Sequence, residues 1–236
     1  MTSVPALLER LLHRHAVWRG GIPALPDETT VPSGFASLDR ALPGGGWPTG
    51  ALTEIHATVP GTGEMQLMLP ALAALSAMER PHLQLWLAPP HTPFAPALER
   101  ANIDLRALVL VRTGTRQALL WAAEQALRSG ACSALLAWVP EIRYVELKRL
   151  AVAAAQGASL AVLFRPPGAL QEASPACLRL QLEPCTAGLQ VHFLKRRGAP
   201  RAVPLTLPVD RPVHALAGPA LSALRPRDPV ARACLA

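Results

Sequence analysis

The strongest constraint on the fold is an alternation of short apolar runs with helix-patterned segments between residues 51 and 164. The apolar runs predict five strands: Ala51–Ala57, His82–Ala88, Ala107–Val111, Ser133–Val139 and Ser159–Phe164. Apolar residues at helical spacing predict four helices between them: Glu64–Glu79, Phe94–Ala101, Arg116–Arg128 and Tyr144–Gln156. Strands that alternate with helices favour an α/β fold with a mainly parallel sheet flanked by helices.

The pattern changes after Ser174, where the helical spacing stops. Three short strands follow, and we expect them to be antiparallel at one sheet edge: Cys177–Leu182, Leu189–Leu194 and Ala202–Leu207. The 236 residues therefore divide into an N-terminal helix with its linker (1–31), a core domain (32–207) and a Pro/Arg-rich tail (208–236). We expect the tail to be flexible, because it lacks periodicity. Pro70 predicts a kink in its helix or a later start.

The formal charge of +7 is carried almost wholly by arginine, since Lys148 and Lys195 are the only lysines. Such an excess is typical of a protein with an acidic partner, although it also fits a GC-rich coding bias. No apolar run is long enough to cross a membrane, and no signal peptide is recognisable, so we expect a cytoplasmic protein. The cysteines and histidines lack metal-site spacing, so no metal or cofactor is expected.

The loop between strand Ala51–Ala57 and helix Glu64–Glu79 occupies the place of a phosphate-binding loop. In such loops glycines, a lysine and a hydroxyl residue hold the phosphates and Mg²⁺. Gly61 and Gly63 are present, but Glu64 stands where the lysine belongs and Met65 where the hydroxyl belongs. A carboxylate facing a phosphate reverses the Coulomb energy, by roughly 4 kcal/mol at 4 Å and an effective dielectric of about 20.

Two further catalytic positions also lack their acids. The strand that should end in a metal-holding aspartate ends near Trp138, and the place of a water-activating glutamate holds Pro89 and Pro90. Three losses at separate places predict that the chain is not an enzyme and does not hydrolyse ATP. A residual ATPase with unusual ligands is the weakest alternative, because the first lysine is Lys148.

The glycine-rich segment Gly34–Ile55 resembles the RecA family around its first core strand. Ile103–Ala134 and the hairpin Phe193–Gly198 resemble two later RecA segments. The resemblance implies a RecA-like core over residues 32–207. Two loops that contact DNA in RecA look shortened here, so stretching of single-stranded DNA in a filament is not expected.

The chain more closely resembles the ImuA group of RecA-like accessory proteins of translesion DNA synthesis. The residues that carry this resemblance are Leu42–Glu54, Gly63–Leu67, Ala88–Leu98, Ala118–Cys132, Leu163–Pro166 and Leu194–Gly198. It implies a non-catalytic adaptor in SOS mutagenesis, associated with the nucleoid during DNA damage. The implied partners are an ImuB-type inactive Y-family polymerase, an error-prone C-family polymerase and RecA, with DNA contact weak or indirect.

Basic residues near the C-terminus are candidate contacts for such a partner or for DNA: Lys195, Arg196, Arg197, Arg201, Arg225 and Arg227. A solvated hairpin tip explains the first three equally well. The alternative function, from another class, is a SulA-like inhibitor of cell division that acts on FtsZ, since SulA also combines this type of fold with a lack of nucleotide chemistry. Inhibition of FtsZ polymerisation distinguishes the two hypotheses.

Overall fold

The structure is a computed structural model that describes residues 29–58, 61–78, 82–198 and 200–209. The predicted N-terminal helix lies outside the described residues, as do the tail from residue 210 and the candidate contacts Arg225 and Arg227. The proposed division into 1–31, 32–207 and 208–236 therefore stays a prediction.

A mixed sheet of eight strands forms the centre of the described chain. Its strands are β3 (Ala51–Ala57), β4 (Leu83–Leu87), β5 (Leu108–Val111), β6 (Cys132–Trp138), β7 (Leu160–Arg165), β8 (Leu178–Cys185), β9 (Gly188–Lys195) and β10 (Leu205–Leu207). Their spatial order is β5-β4-β6-β7-β3-β8-β9-β10, parallel from β5 to β8 and antiparallel from β8 to β10. Two shorter strands, β1 (Thr30–Val31) and β2 (Trp47–Pro48), pair separately.

Five α-helices connect these strands within the described residues: α1 (Ala36–Asp39), α2 (Glu64–Ser76), α3 (Ala95–Arg100), α4 (Arg116–Ser129) and α5 (Tyr144–Gly157). Helix α4 shows why the sequence begins and ends a helix where it does. The Thr115 hydroxyl accepts a hydrogen bond from the Ala118 N–H, and Gly130 closes the helix with a φ of 65°. None of the described helices is long and apolar enough to cross a bilayer.

Helices pack on both faces of the sheet, so the inner strands are apolar on both sides. On one face, Ile55 and Leu136 lie in a buried cluster with Leu67 and Leu72 of α2. On the other, Leu135 lies in a second cluster whose members include Leu119 and Leu127 of α4 and Leu147 and Leu150 of α5. Side chains of a strand point alternately to opposite faces, which explains why neighbours such as Leu135 and Leu136 enter different clusters.

Pro70 does not delay the start of its helix, which was one of the two outcomes that the sequence predicted. Helix α2 runs from Glu64 to Ser76 with Pro70 inside it. A proline costs one backbone hydrogen bond, but here its ring packs closely on the backbone of Gly34, where an added Cβ would lie 2.4 Å from Pro70 Cβ. Tertiary packing therefore holds a helix that the local sequence disfavours.

A short 3₁₀ turn was not predicted. Residues Pro167–Gln171 lie in one of the two loops that look shortened relative to RecA, and they form a 3₁₀ helix after β7. A residue of β8 stabilises this turn. Arg179 Nη2 donates to the carbonyl oxygens of Ala169, at 3.1 Å, and Leu170, at 3.4 Å. Such a long-range contact cannot be recognised from local sequence.

Candidate functional site

A pocket of about 660 Å³ opens where the parallel strands end. Open α/β sheets bind ligands outside the carboxyl ends of their strands, which makes this crevice the first place to look for a site. Its lining comes from the ends of β3, β4, β6 and β7 and from the start of α4. The wall is mainly apolar and includes Pro90, Pro140, Pro166 and Pro167.

The loop before α2 hydrogen-bonds to its own glutamate. Glu64 Oε1 accepts from the Gly61 N–H at 2.9 Å, and Glu64 Oε2 accepts from the Gly63 N–H at 3.0 Å. In a phosphate-binding loop these backbone N–H groups would face the ligand's oxygens. The carboxylate of Glu64 therefore takes the place of an anion, at the helix end where the dipole favours negative charge.

Aromatic rings replace the expected acid at the end of β6. Trp138 stacks on Phe164, with ring centres 4.7 Å apart and planes 24° apart, and its ring centre lies 6.1 Å from that of Trp86. Pro89 follows β4, and Pro90 lines the pocket, where a water-activating acid would be needed. The structure thus brings the three altered positions of the sequence to one pocket.

The charges that line this pocket are balanced. Glu64 and Glu141 line it, together with the cations Arg116 and Arg165. The side chain of Arg165 is fully buried and paired with Glu172 at 2.8 Å. Within the described ranges, no group of three or more His, Cys, Asp or Glu residues could hold a metal ion.

Beneath the pocket a set of charged side chains is buried inside the protein. Glu54 Oε2 accepts from Arg179 Nε at 2.8 Å, and Glu54 Oε1 accepts from the Ser174 hydroxyl at 2.9 Å. Glu54 also lies 3.4 Å from His56 Nε2 and 3.8 Å from Arg165 Nη1. We call these four residues, Glu54, His56, Arg165 and Arg179, the buried charge network.

Its environment lowers the pKa of Glu54. Burial by itself would raise the pKa of this carboxyl group. Hydrogen bonds from His56 and Ser174 and the charges of Arg179 and Arg165 together outweigh that effect and hold the pKa below its ordinary value. Glu54 is therefore a paired carboxylate that joins β3, β7 and β8, and its arrangement is suited to holding strands together.

Sequence analysis missed this network, although the sequence contains a signal for it. Glu54 and His56 are alternate residues of β3, an otherwise largely apolar strand at the middle of the sheet. Charges on one face of a buried strand need partners, because an isolated buried charge is very costly. The partners themselves, Arg165 and Arg179, are more than 100 residues away and could not be identified locally.

The predicted basic contacts are partly occupied by the protein itself. Lys195 Nζ donates to the Ser174 carbonyl at 2.9 Å, and Arg196 donates to the Ala41 carbonyl. Arg201 Nε donates to the Val203 carbonyl at 3.1 Å, and the guanidinium groups of Arg196 and Arg201 each lie 5.9 Å from the Phe193 ring centre. Arg197 also has an interaction within the protein. A role for these residues in binding a partner stays a prediction.

Comparison with known proteins gives consistent similarities. The family model described as "Cell division inhibitor SulA" matches residues 50–161. The cell division inhibitor SulA of Edwardsiella piscicida is 33% identical over 112 residues, which cover 47% of this chain and 66% of that protein. SulA of Yersinia pestis (strain Pestoides F) is 30% identical over 117 residues, which cover 50% of this chain and 68% of that protein. The matched part thus spans about two thirds of these relatives.

A solved structure gives a weaker similarity. The crystal structure of SulA from Pseudomonas aeruginosa is 23% identical and aligns with a TM-score of 0.41, covering 48% of this chain and 97% of that one.

The family match corrects the fold assignment. The fold is SulA-like, a mixed sheet with helices, and the prediction of a RecA-like core was wrong. The misleading signal was a frame of glycines. Gly44, Gly45 and Gly50 have φ values of 75°, 79° and 63°, which glycine adopts without steric cost. Glycines at this spacing indicate tight turns before a strand, and they do not identify a nucleotide-binding core.

Proposed function

Because the chain belongs to the SulA family of cell division inhibitors, we propose that it inhibits cell division by binding FtsZ without catalysis. This was the alternative hypothesis from the sequence. The family is one of non-enzymatic inhibitors, which confirms the prediction that the chain is not an enzyme.

One observation in the structure carries the proposal. The Glu64 carboxylate accepts hydrogen bonds from the Gly61 and Gly63 N–H groups, so these donors already have an anionic partner. A nucleotide would have to displace this carboxylate and then approach it as a like charge. The geometry therefore supports a function that does not use nucleotide chemistry, as the proposal requires.

The family match overturns the resemblance to ImuA and the function inferred from it. An adaptor role in translesion synthesis was wrong, and so were the expected partners, namely the ImuB-type polymerase homologue, the C-family polymerase and RecA. The resemblance rested on short segments, of which Leu42–Glu54 includes tight glycine turns and Gly63–Leu67 is the start of α2. Of the expected cellular setting, only the SOS response is common to both functions.

The expected cytoplasmic location remains part of the proposal, since FtsZ is the proposed target. Association with the nucleoid was expected only from the translesion hypothesis, and it is withdrawn with that hypothesis.

The direct test adds the purified full-length chain to FtsZ and GTP and follows polymerisation by light scattering and pelleting. We expect polymer to be lost as the chain approaches equimolar amounts with FtsZ, with or without added ATP. Full polymerisation at a several-fold molar excess of the chain would contradict the proposal.

A matched variant separates nucleotide chemistry from inhibition. Glu64→Ala removes the carboxylate that occupies the loop, but it leaves the outer faces of the helices unchanged. We expect this variant to inhibit FtsZ as the wild-type chain does. A nucleotide-dependent inhibitor would instead change its potency with this substitution and with added ATP.

A further inference from the structure

The outer face of α4 and α5 carries a groove that the pocket at the strand ends does not include. It has a volume of about 370 Å³ and is lined by residues of both helices and by Arg143, which precedes α5. We call it the α4–α5 groove and define it by Arg116, Trp121, Glu124, Arg143, Glu146 and Arg149. Both helices lie inside residues 50–161, the segment that matches the family.

The acidic side chains of the groove are less exposed than its basic side chains. Its two carboxylates are covered, with side-chain exposures of 7% for Glu124 and 13% for Glu146. The guanidinium groups bound to them face outward, with exposures of 77% for Arg143 and 61% for Arg149. Solvent therefore meets mainly the positive partners of these ion pairs.

The acids also fix the arginines in place. Glu146 accepts from Arg143 Nη2 at 2.8 Å and from Arg116 Nη1 at 2.6 Å. Glu124 pairs with Arg149 and, at 2.9 Å, with Arg128. Side chains held in this way lose less conformational entropy when a partner binds, which favours recognition over a merely solvated surface.

The groove also contains an exposed tryptophan. Trp121 is 64% exposed on α4, and nothing in α4 requires an aromatic ring at an outward position. Beside the groove, α5 exposes Val145 and Val152, which share a stripe with Arg149 at helical spacing. Tryptophan and arginine together are the residues most enriched among those that dominate protein interfaces.

The charge balance indicates what the groove would accept. Three arginines line the groove against two glutamates that are covered: Arg116, Arg143 and Arg149 against Glu124 and Glu146. An acidic surface is attracted to such a face, and a basic one is repelled. The tail of this chain is rich in arginine, so its charge does not fit the groove.

We propose that the α4–α5 groove docks an acidic protein surface of the partner and that an apolar side chain of that surface covers Trp121. The proposal rests on the proposed function in naming FtsZ as the partner to be tested. The groove itself can be tested without FtsZ.

The first arm uses a probe of the proposed chemistry. A short acidic peptide with one central phenylalanine is titrated into the isotope-labelled full chain, and amide chemical shifts are recorded. We expect shift changes confined to α4 and α5, weakened by added salt and lost in Trp121→Ala. Absence of binding, or binding that Trp121→Ala leaves unchanged, would overturn the proposal.

The second arm measures the affinity of full-length variants for FtsZ. We expect Trp121→Ala to weaken binding by about tenfold or more, as for a dominant interface residue, and Arg149→Ala to weaken it in a salt-dependent way. The matched controls are Phe94→Ala, since Phe94 is 67% exposed outside the groove, and Arg100→Glu on α3. Both controls should bind as the wild type does.

The two arms separate the two ideas. If the wild-type chain does not bind FtsZ but the peptide binds at Trp121, the groove stands and the proposed function fails. If FtsZ binds wild type and Trp121→Ala equally well, the groove fails and the proposed function stands.

Two measurements on the chain without a partner provide further tests of the proposal. A change in sedimentation of Trp121→Ala in the absence of a partner would assign the groove to a second copy and overturn the proposal. A fall in melting temperature well beyond that of Phe94→Ala would show that this chain itself covers Trp121, which would overturn it too.

Discussion

Glu54 and Arg179 form an ion pair inside the protein, with Glu54 Oε2 2.8 Å from Arg179 Nε. The glutamate belongs to β3 and the arginine to β8, and the two residues are register neighbours in parallel strands. Because the pair is buried, its two members depend on each other for solvation, and each would be costly alone. The pair thus joins β3, the first of the eight strands in chain order, to β8. Strand β8 lies C-terminal to the segment that matches the family.

Removing the charge of Glu54 should therefore destabilise the fold. We expect Glu54→Gln to lower the free energy of unfolding by about 3–5 kcal/mol, because Arg179 would be left buried without a carboxylate and Arg165 would keep only Glu172. Urea denaturation followed by circular dichroism measures the change. Glu172→Gln is the control, since the Glu172 side chain is 51% exposed and its loss should cost much less. Equal effects of the two substitutions would contradict a special role of Glu54.

The contribution of the start of α5 to the stability of the fold should depend on pH. The hydrogen bond from Arg143, with further help from Arg116, lowers the pKa of Glu146 from 4.5 to about 2. A carboxyl group with a lowered pKa in the folded state stabilises the fold above its ordinary pKa, and the stabilisation is lost as the pH falls towards the folded-state value. We expect Glu146→Gln to lower stability at neutral pH.

The difference between wild type and Glu146→Gln should shrink between pH 4.5 and 2. Unfolding free energies measured by urea titration across this pH range test the expectation. Glu141→Gln, at an exposed position before the helix, is the control for the loss of a surface carboxylate. A pH-independent difference for Glu146→Gln would show that its loss acts through packing alone.

The loop before α2 should gain affinity for anions when its glutamate is removed. Glu64→Ala frees the N–H groups of Gly61 and Gly63 at a helix N-terminus, where anions bind readily. We expect calorimetry to detect inorganic pyrophosphate with this variant and not with the wild type. The variant should also lose about 1 kcal/mol of stability, as for a lost helix cap. Equal pyrophosphate binding by both chains would contradict the role given to Glu64.

Trp138 should contribute far more to stability than another tryptophan of the chain. It stacks on Phe164 in the pocket wall, whereas Trp121 is 64% exposed. We expect Trp138→Ala to cost about 3 kcal/mol, because it removes apolar contact and leaves a void. Thermal and urea denaturation of the two alanine variants measure the contrast. Similar losses from both would show that the stacking geometry is energetically unimportant.

Helices α4 and α5 approach each other at Gly157, where we expect no side chain to be tolerated. An added Cβ there would lie 1.8 Å from the carbonyl oxygen of Leu127. We expect Gly157→Ala to destabilise the chain by about 1–3 kcal/mol, since the helices must move apart. Gly114→Ala is the control, because no atom lies within 4 Å of the added Cβ at that position. The free energies of unfolding of both variants, measured by chemical denaturation, test this expectation. Equal values for the two variants would contradict it.

Local sequence located most of the strands and helices of the described residues. Apolar spacing located α4 and α5 to within one residue, and Glu64 and Met65 predict from the sequence alone that the loop does not bind ATP. These features are local, because helical periodicity and a missing lysine depend on neighbouring residues alone. The assignment to a RecA-like core was wrong, since glycine-rich turns recur wherever a chain must bend sharply.

Tertiary structure alone decided which distant residues meet. Glu54 finds Arg165 and Arg179 more than 100 residues away, the Glu64 side chain folds back onto its own loop, and Pro70 stays inside α2 because Gly34 packs against it. The outward position of Trp121 between exposed arginines also depends on how α4 packs on α5. Such contacts arise from the order of strands in the sheet, and the local pattern of apolar and polar residues does not specify that order.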